Sequence, residues 1–399
     1  MTPAARIGAA IAILDRVLAG QPAEQALLRW ARASRFAGSG DRAAVRDHVF
    51  DALRRLHSLT ALSGAAEPSG RALMIGALRE AGGDPDAVFS GAGHAPPPLS
   101  AGERARLAAA PALADLPPAQ RLDCPDWLLP RFTAALGAAA EPVLAALRQR
   151  APVYLRANLA RLSRDELARR LRAEGIGTRP VDDVNTALEV TENANRIRAS
   201  SCYAEGLCEL QDLSPQAAVL RLPLAAGQRI LDYCAGGGGK TLAMAALAAG
   251  QFFAHDIAPA RMADLGARAR RAGIAVTLIA PGRMAAAGLF DLVVADVPCS
   301  GSGTWRRTPD AKWRLTPARL EELGALQRDV LARAARHVAP GGTLAYMTCS
   351  LLAEENRGRI EAFRADNAGW SLAADHLFTP LSGGDGFYLA LLTRPRIGP

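Results

Sequence analysis

Hydrophobic positions recur every three or four residues through the first third of the chain. Ile7, Ile11 and Leu14 share one helical face, and residues 41–55 carry a second apolar stripe flanked by arginines. A period near 3.6 residues is typical of amphipathic helices that pack on a core. The pattern predicts an all-α domain over residues 1–125, in which the arginines of the second helix could contact phosphates.

The hydrophobic pattern becomes mixed over residues 126–212. Short apolar runs at 153–158 and 187–190 predict strands, and residues 164–174 between them have helical spacing. We therefore expect a small α+β domain in this part of the chain.

Alternating strands and helices give residues 213–399 the clearest pattern. Apolar runs bounded by turn residues predict strands at 229–233, 252–256, 275–279, 290–296 and 343–347. Segments with helical spacing separate them at 241–249, 261–271 and 317–337. This alternation indicates an α/β, doubly wound, Rossmann-like parallel sheet, whose ligands bind at the carboxyl ends of the strands.

Charge and composition narrow the choice of partners. The 399 residues include 47 Lys and Arg against 39 Asp and Glu, and the net charge of +8 favours a polyanionic partner. Aromatic residues make up only 5%, which disfavours binding by extended base stacking. No apolar run has the length of a membrane span or the form of a signal peptide, so we expect a cytoplasmic protein without a membrane partner.

The six cysteines do not have the spacing of a metal site or a disulfide scaffold. None forms a C-x-x-C pair and no histidine cluster accompanies them, so we expect no bound metal. We expect Cys124, Cys202 and Cys208 to be small buried hydrophobic residues.

A glycine loop, residues 232–241, follows the first predicted strand of the Rossmann-like region. A phosphate-binding P-loop would need glycine where Cys234 stands, and a dinucleotide fingerprint would need glycine where Thr241 stands. The loop does have an acid at the end of the strand, Asp232, and a glycine turn whose backbone a ligand can approach closely. A second acid, Asp256, could hold ribose hydroxyls. This combination suits S-adenosylmethionine, a nucleoside without a pyrophosphate.

Two cysteines follow the later strands of the same predicted sheet. Cys299 lies three residues after Asp296, and Cys349 follows the strand at 343–347. Neighbouring strand ends would bring both thiols to the cofactor pocket. A thiol is needed when the methylated carbon has no lone pair, as at cytosine C5: a thiolate adds to C6 and makes C5 nucleophilic. An acid such as Asp296 would assist by neutralising charge that develops at N3.

Lys240 and Lys312 are the only lysines among the 47 basic residues. An ammonium is a compact point charge and a guanidinium is a wide planar fork. We therefore expect that arginine cannot replace lysine at these two positions. Arg306 and Arg307, near Cys299 in sequence, could stabilise a thiolate or hold a phosphate.

These motifs resemble those of the Sun/Fmu family of RNA cytosine-C5 methyltransferases. The similar stretches are Asp-x-Cys-Ala…Gly-Gly-Lys-Thr at 232–241, Asp-Val-Pro-Cys-Ser-Gly at 296–301 and Thr-Cys-Ser at 348–350. The resemblance covers residues 200–365 and includes Gln327 and the stretch from Glu354 to Asn356. Residues 1–125, with Ser-Gly-Asp-Arg at 39–42, resemble NusB-like RNA-binding domains.

The resemblance implies roles for the matching residues. Cys349 would be the nucleophile and Cys299 the residue that releases the product, although chemistry alone leaves Cys299 open as the nucleophile. The residues implied to contact the cofactor are Cys234, Ala235, Gly236, Gly237, Gly238, Gly239, Lys240, Asp256 and Asp296. The combination of domains implies a monomeric enzyme acting on 16S ribosomal RNA.

The chain departs from the family pattern at two places. Gly236 and Gly237 replace an Ala-Pro pair, which predicts a looser loop and weaker cofactor binding. Residues 280–283 lack the acid that in the family can bind the adenine amino group.

The sequence thus predicts an S-adenosylmethionine-dependent RNA cytosine-C5 methyltransferase. One alternative is a methyltransferase of the same chemistry that acts on transfer RNA. The other is a non-catalytic RNA-binding or ribosome-assembly factor that retains the fold, which the changed glycine loop motivates and the two intact cysteines oppose.

Overall fold

The computed structural model describes residues 1–396, so residues 397–399 of the predicted methyltransferase region lie outside it. The helices are α1 Pro3–Leu18, α2 Ala23–Ala33, α3 Ser39–Arg54, α4 Leu56–Leu62, α5 Gly70–Glu80, α6 Pro85–Val88, α7 Ala101–Ala109, α8 Pro118–Arg121, α9 Leu129–Leu136, α10 Ala140–Leu147, α11 Arg164–Ala173, α12 Ser201–Ala204, α13 Leu213–Leu220, α14 Gly239–Ala245, α15 Leu265–Ala272, α16 Pro309–Arg314, α17 Pro317–Ala335 and α18 Arg357–Asp366. The strands are β1 Val153–Ala157, β2 Thr178–Pro180, β3 Ala187–Val190, β4 Cys208–Leu210, β5 Arg229–Asp232, β6 Gln251–His255, β7 Val276–Ile279, β8 Phe290–Asp296, β9 Val338–Thr348, β10 Ser371–Phe378 and β11 Phe387–Thr393.

The chain divides into two compact units, and the first is helical. It comprises Met1–Arg150 together with Thr304–Leu315, a segment from the middle of the methyltransferase sequence. Helices α1, α3, α4 and α5 enclose a core that includes Ile13, Val49 and Leu73. The predicted helical periodicity is thus confirmed for this region, whereas the predicted boundaries at 125 and 212 stay predictions.

Helix α3 presents fewer exposed arginines than its sequence indicates. Arg42 and Arg46 are exposed, but Arg54 is buried and donates from Nε to the carbonyl oxygen of Arg306 at 2.7 Å. Arg55 is half-buried and pairs with Glu80. The expectation that all these arginines line one phosphate-contacting face is therefore wrong for the last turn, where packing within the helical unit occupies them.

The second unit comprises Ala151–Gly303 and the chain from Thr316 onward, and it contains two sheets. The smaller sheet is antiparallel, in the order β2-β3-β1-β4, with buried residues of α11 packed against it. The expected strands at β1 and β3 and the helix α11 are present. The three-residue strands β2 and β4 were not predicted, because such short segments show no measurable periodicity.

The larger sheet has seven strands in the order β10-β11-β9-β8-β5-β6-β7. The strands from β9 to β7 pair in parallel, which confirms the Rossmann-like expectation, and they place the carboxyl ends of β5, β6, β8 and β9 along one edge. The remaining strands were not predicted: β11 pairs with β9 in an antiparallel manner, and β10 pairs with β11 in the same way. Val293, Val294 and Ala295 of β8 are fully buried, as expected for a central strand covered on both faces.

Candidate active site

The turn between β5 and α14 requires glycine at particular positions. Gly236 and Gly238 have φ angles of +48° and +79°, in the left-handed region. A Cβ atom on Gly238 would lie 2.0 Å from Cδ1 of Leu265. The left-handed φ angles and the packing of Leu265 therefore account for glycine in this turn, from which α14 begins at Gly239. The predicted contact of the turn with a cofactor stays a prediction.

Asp232, at the end of β5, has one carboxylate oxygen free for a ligand. Its Oδ2 accepts a hydrogen bond from Oγ1 of Thr241 at 2.7 Å, whereas the buried Oδ1 has no partner among residues 1–396. Burial raises the pKa of Asp232 to about 6. A buried acceptor without a donor is unfavourable, so this atom fits a cofactor that brings a donor such as an ammonium group.

Asp256, at the end of β6, holds the glycine turn and can also bind a ligand. Oδ2 accepts from the backbone N–H of Gly236 at 3.0 Å, and Oδ1 accepts from that of Ala258 at 2.9 Å. Arg261 lies 3.3 Å from the same carboxylate. Each carboxylate oxygen can accept more than one hydrogen bond, so these contacts leave capacity for a ribose hydroxyl.

Arginines brace the glycine turn, which lacks the proline of the family pattern. Arg268 donates to the carbonyl oxygen of Gly237, and NH1 of Arg156 donates to that of Gly239 at 2.7 Å. Glu209 accepts from Arg268 at 2.9 Å, which fixes the arginine in turn. Burial lowers the pKa of Arg156 to about 10. These residues were not predicted, because nothing in their sequence spacing connects them to the turn.

The two predicted cysteines meet at the adjoining ends of β8 and β9. Their Sγ atoms lie 3.3 Å apart, and both residues are half-buried. The parallel ladder pairs Asp296 with Met347, and Val297 donates to the carbonyl oxygen of Met347 at 3.0 Å just beyond it. Cys299 follows the end of β8 by three residues and Cys349 directly follows β9, so strand adjacency brings the thiols together as the sequence predicts.

The surroundings of Cys299 oppose its ionisation. The pKa of Cys299 is raised well above its ordinary value, first by its hydrogen bond with Cys349, then by burial and by the nearby negative charges of Cys349 and Glu355. The neutral thiol is therefore the favoured form of Cys299.

An ion pair lies beside the thiols. Nζ of Lys240, in the first turn of α14, is 2.5 Å from Oδ2 of Asp296. Burial acts to lower the pKa of Lys240, but the charge and hydrogen bond of Asp296 outweigh it, with smaller contributions from Asp232 and Cys349, and the pKa is raised. The ammonium also lies 5.2 Å from the ring centroid of Phe387. Asp296 was predicted to act as the acid near the thiols. Its partner Lys240 is a protonated group that can supply the proton in this place.

Lys312 lies in the helical unit. Its Nζ donates to the carbonyl oxygen of Arg54 at 3.1 Å and sits 4.4 Å from the ring centroid of Trp313. Burial lowers its pKa to about 8. Trp313 also donates from Nε1 to the carbonyl oxygen of Leu53 at 2.7 Å. Arg306 belongs to the same segment, so the 304–315 motif packs within the helical unit.

The remaining candidate residues lie in the glycine turn or in the protein core. Ala235 is buried and Cys234 is half-buried in the glycine turn, where burial raises the pKa of the Cys234 thiol. Cys124, Cys202 and Cys208 are fully buried, as predicted. Among residues 1–396, no group of three or more His, Cys, Asp or Glu side chains is arranged to hold a metal ion. In the same residues, no helix is both long and apolar enough to cross a membrane.

The fold and this site define an S-adenosylmethionine-dependent methyltransferase: a Rossmann-like sheet, a glycine turn after its first strand and acids at the first two strand ends. Comparison with known proteins identifies the family. The family model "16S rRNA methyltransferase RsmB/F" matches residues 219–392, and the model "Methyltr_RsmF/B-like, ferredoxin-like domain" matches residues 124–196. The chain belongs to the RsmB/F methyltransferase family, which confirms the expected resemblance.

A curated relative agrees with this assignment, and two solved structures share the fold. "Ribosomal RNA small subunit methyltransferase B" of Sodalis glossinidius (strain morsitans) is 36% identical over 286 residues, which are 68% of this chain and 65% of the relative, so the chain spans just under two thirds of that protein's length. The structure described as PH0851 has a TM-score of 0.74 at 23% identity, covering 98% of this chain and 99% of that chain. That of NSun6 from Pyrococcus horikoshii with SFG has a TM-score of 0.61 at 18% identity, covering 68% and 98%.

Proposed function

We propose that this chain methylates C5 of a cytosine in RNA through a covalent cysteine adduct, with 16S ribosomal RNA as the substrate. The observation that carries the proposal is the 3.3 Å contact between Sγ of Cys299 and Sγ of Cys349. Methylation of an oxygen or nitrogen needs no thiol, because those atoms already have a lone pair to donate. Two thiols beside a methyl-donor pocket suit a carbon that must first be activated. The curated relative named for ribosomal RNA supports the choice of substrate.

Cys349 is assigned as the nucleophile. Its Sγ forms a bond to C6 of the cytosine, and the C5–C6 π electrons move onto the ring toward N3. Lys240, paired with Asp296, is the charged group that can supply a proton or neutralise this negative charge. When bound, S-adenosylmethionine supplies the electrophilic methyl group, and Asp232, Asp256 and the glycine turn are the residues that would hold it.

Cys299 is assigned to product release. In the free protein its pKa is raised chiefly by the hydrogen bond to Cys349, and that bond is lost once the Cys349 sulfur is bonded to carbon. Cys299 can then give its own proton to solvent water, and the resulting thiolate takes the proton from C5. The C5–H electrons re-form the C5–C6 double bond, and the C6–S electron pair returns to Cys349.

Two single substitutions test these assignments. With cofactor and 16S ribosomal RNA, Cys349→Ala should form no protein–RNA adduct on a denaturing gel, and Cys299→Ala should form an adduct that persists. The reverse pattern would exchange the two roles. Wild-type protein that binds the cofactor in calorimetry and yet leaves 5-methylcytosine out of both ribosomal and transfer RNA would reject the proposed activity.

For the helical unit we propose RNA binding, as its resemblance to NusB-like domains suggests. The exposed side chains of Arg42 and Arg46 on α3 support a phosphate contact. Removing two such contacts should reduce the slope of log affinity against log salt by about 2. Measuring RNA affinity of the Arg42→Gln, Arg46→Gln double variant over a salt series tests this, and an unchanged slope would contradict it.

A further inference from the structure

Glu355 is a buried carboxylate next to the two thiols. It precedes α18, its exposed fraction is 1%, and the mechanism above does not use it. Oε1 accepts hydrogen bonds from the backbone N–H of Ser300 and from Nε2 of Gln327, both at 2.8 Å. One oxygen of Glu355 therefore holds the residue that directly follows Cys299.

The second oxygen of Glu355 reaches the other cysteine-bearing loop. Oε2 accepts from Oγ of Ser350 at 2.5 Å, and it also accepts from Oγ of Ser300. Ser350 directly follows Cys349 in the chain. A single carboxylate thus binds the two residues that come immediately after the two cysteines, one on each loop.

The surrounding contacts fix Glu355 itself. Its backbone carbonyl accepts from Oη of Tyr346 at 2.7 Å, and Gln327 donates in addition to the carbonyl oxygen of Pro298 at 3.0 Å. The next residue, Asn356, donates from Nδ2 to the carbonyl oxygen of Ser350 at 2.9 Å. Tyr346 of β9 holds the backbone of Glu355 and Gln327 of α17 holds its carboxylate, so Glu355 can keep both loops in a fixed position.

Other contacts join the two loops as well. The β8–β9 ladder pairs residues only as far as Asp296 and Met347. Beyond it, backbone hydrogen bonds run from Val297 to the carbonyl oxygen of Met347 at 3.0 Å and from Gly303 to that of Cys349 at 2.9 Å. Oγ of Ser302 accepts from the backbone N–H of Leu351 at 2.8 Å and lies 3.0 Å from Oγ of Ser350. Parallel strands diverge where their ladder ends, so the thiol separation depends on contacts made after the ladder.

We propose that Glu355 is a positioning residue that holds the Cys299 and Cys349 thiols at contact distance. A carboxylate is the side chain required, because each of its oxygens accepts hydrogen bonds and four donors converge on them. Glutamine has nearly the same shape but presents an NH2 group in place of one acceptor, so one loop loses its anchor. The thiol geometry is independent of the reaction, whereas its catalytic consequence rests on the proposed function.

The first experiment measures the thiol pair without substrate. In glutathione buffers, one oxidised glutathione takes two electrons from the two thiols, giving a Cys299–Cys349 disulfide, two reduced glutathiones and no other product. The equilibrium, read by mass spectrometry of the linked peptides, reports the effective concentration of one thiol at the other. Glu355→Gln should lower it by about 10-fold, the effect of losing one charge-assisted hydrogen bond.

Glu361→Gln is the matched control. Glu361 lies on α18 with an exposed side chain that pairs with Arg357, so the same chemical change there should leave the thiol equilibrium at the wild-type value. Circular dichroism and thermal unfolding verify that both variants are folded. A folded Glu355→Gln variant with the wild-type effective concentration would overturn the proposal.

Ser350→Ala tests the same anchor without altering the carboxylate. It removes one donor to Oε2, so it should also lower the effective concentration of the thiols, and the double variant with Glu355→Gln should lose less than the sum of the two effects on a logarithmic scale. Full additivity would contradict a shared role. Where Glu355→Gln is too unstable to measure, a wild-type effective concentration in Ser350→Ala would overturn the proposal.

The catalytic readout separates this proposal from the proposed function. With substrate RNA, Glu355→Gln should lower the rate of adduct formation about 10-fold with little change in KM, because positioning affects the reacting atoms and not RNA affinity. If the thiol equilibrium shifts but no variant or wild-type protein forms an adduct, the proposed function fails and the positioning role stands. An unshifted equilibrium with normal adduct formation gives the opposite conclusion.

Discussion

Nζ of Lys240 and Oδ2 of Asp296 lie 2.5 Å apart, joining the helix after β5 to the end of β8. The two residues are separated by 56 positions in the chain. The ammonium of Lys240 is therefore a positive charge near the thiols, and it interacts electrostatically with Cys349. A charge in this place suits a reaction that puts negative charge first on sulfur and then on a pyrimidine ring.

Replacing Lys240 should slow the chemical step. Lys240→Met removes the cation and should lower the single-turnover rate of methyl transfer about 100-fold, the usual effect of losing one electrostatic stabiliser. Lys240→Arg should recover only part of it, because a guanidinium is wider than an ammonium. Rapid-quench assays with labelled cofactor measure both rates. Full activity in Lys240→Arg would show that position 240 needs only a positive charge.

The glycine turn should not tolerate a side chain at position 238. Gly238→Ala puts a Cβ atom 2.0 Å from Cδ1 of Leu265 in a backbone with a φ of +79°. A left-handed alanine costs about 1 kcal/mol before the clash is counted. We expect at least about a 10-fold loss of cofactor affinity in calorimetry. Gly282→Ala, where no atom lies within 4 Å of the added Cβ, should bind as wild type does.

A close backbone contact supports the loop after Cys299. A Cβ on Gly303 would lie 2.2 Å from the carbonyl oxygen of Gly386, which precedes β11. Backbone atoms cannot rotate away, so Gly303→Ala should lower the free energy of unfolding by at least about 2 kcal/mol. Urea denaturation measures this, with Gly282→Ala again as the reference. An unchanged midpoint for Gly303→Ala would mean that the loop can move without loss.

Buried Lys312 should make stability depend on pH in the alkaline range. Its pKa is about 8 in the folded protein, against about 10.4 in an unfolded chain. Between these values the unfolded chain binds more protons, so this lysine makes the free energy of unfolding rise with pH, by up to about 1.4 kcal/mol per unit. Below pH 8 the charged lysine is present in both states and the slope vanishes.

Lys312→Met removes this titration. The difference in unfolding free energy between wild type and the variant should therefore grow in favour of wild type from pH 8 to pH 10, as measured by denaturant titrations at several pH values. Arg46→Met, at an exposed position of α3, should show a constant difference from wild type. A constant difference for Lys312→Met as well would place the folded-state pKa of Lys312 near its ordinary value.

The local pattern of the chain determined most of its secondary structure. The strands at Phe290–Asp296 and Ala187–Val190 were predicted to the residue, and α3, β1 and α17 differ from their predicted bounds by only a few positions. The antiparallel strands β10 and β11 were missed. Most side chains of β10 are exposed or half-buried, so this strand has no continuous apolar run.

The sequence by itself determined the alternation of strands and helices, the glycine turn and the two cysteines at neighbouring strand ends. Periodicity records which face of each element is buried, and parallel strands joined by helices place their carboxyl ends at the same edge of the sheet. Only the tertiary structure decided that Lys240 pairs with Asp296, that Arg156 and Arg268 hold the glycine turn and that Glu355 binds both cysteine loops. These contacts join side chains far apart in the chain, and their distances depend on how the packed elements meet, which no local pattern encodes.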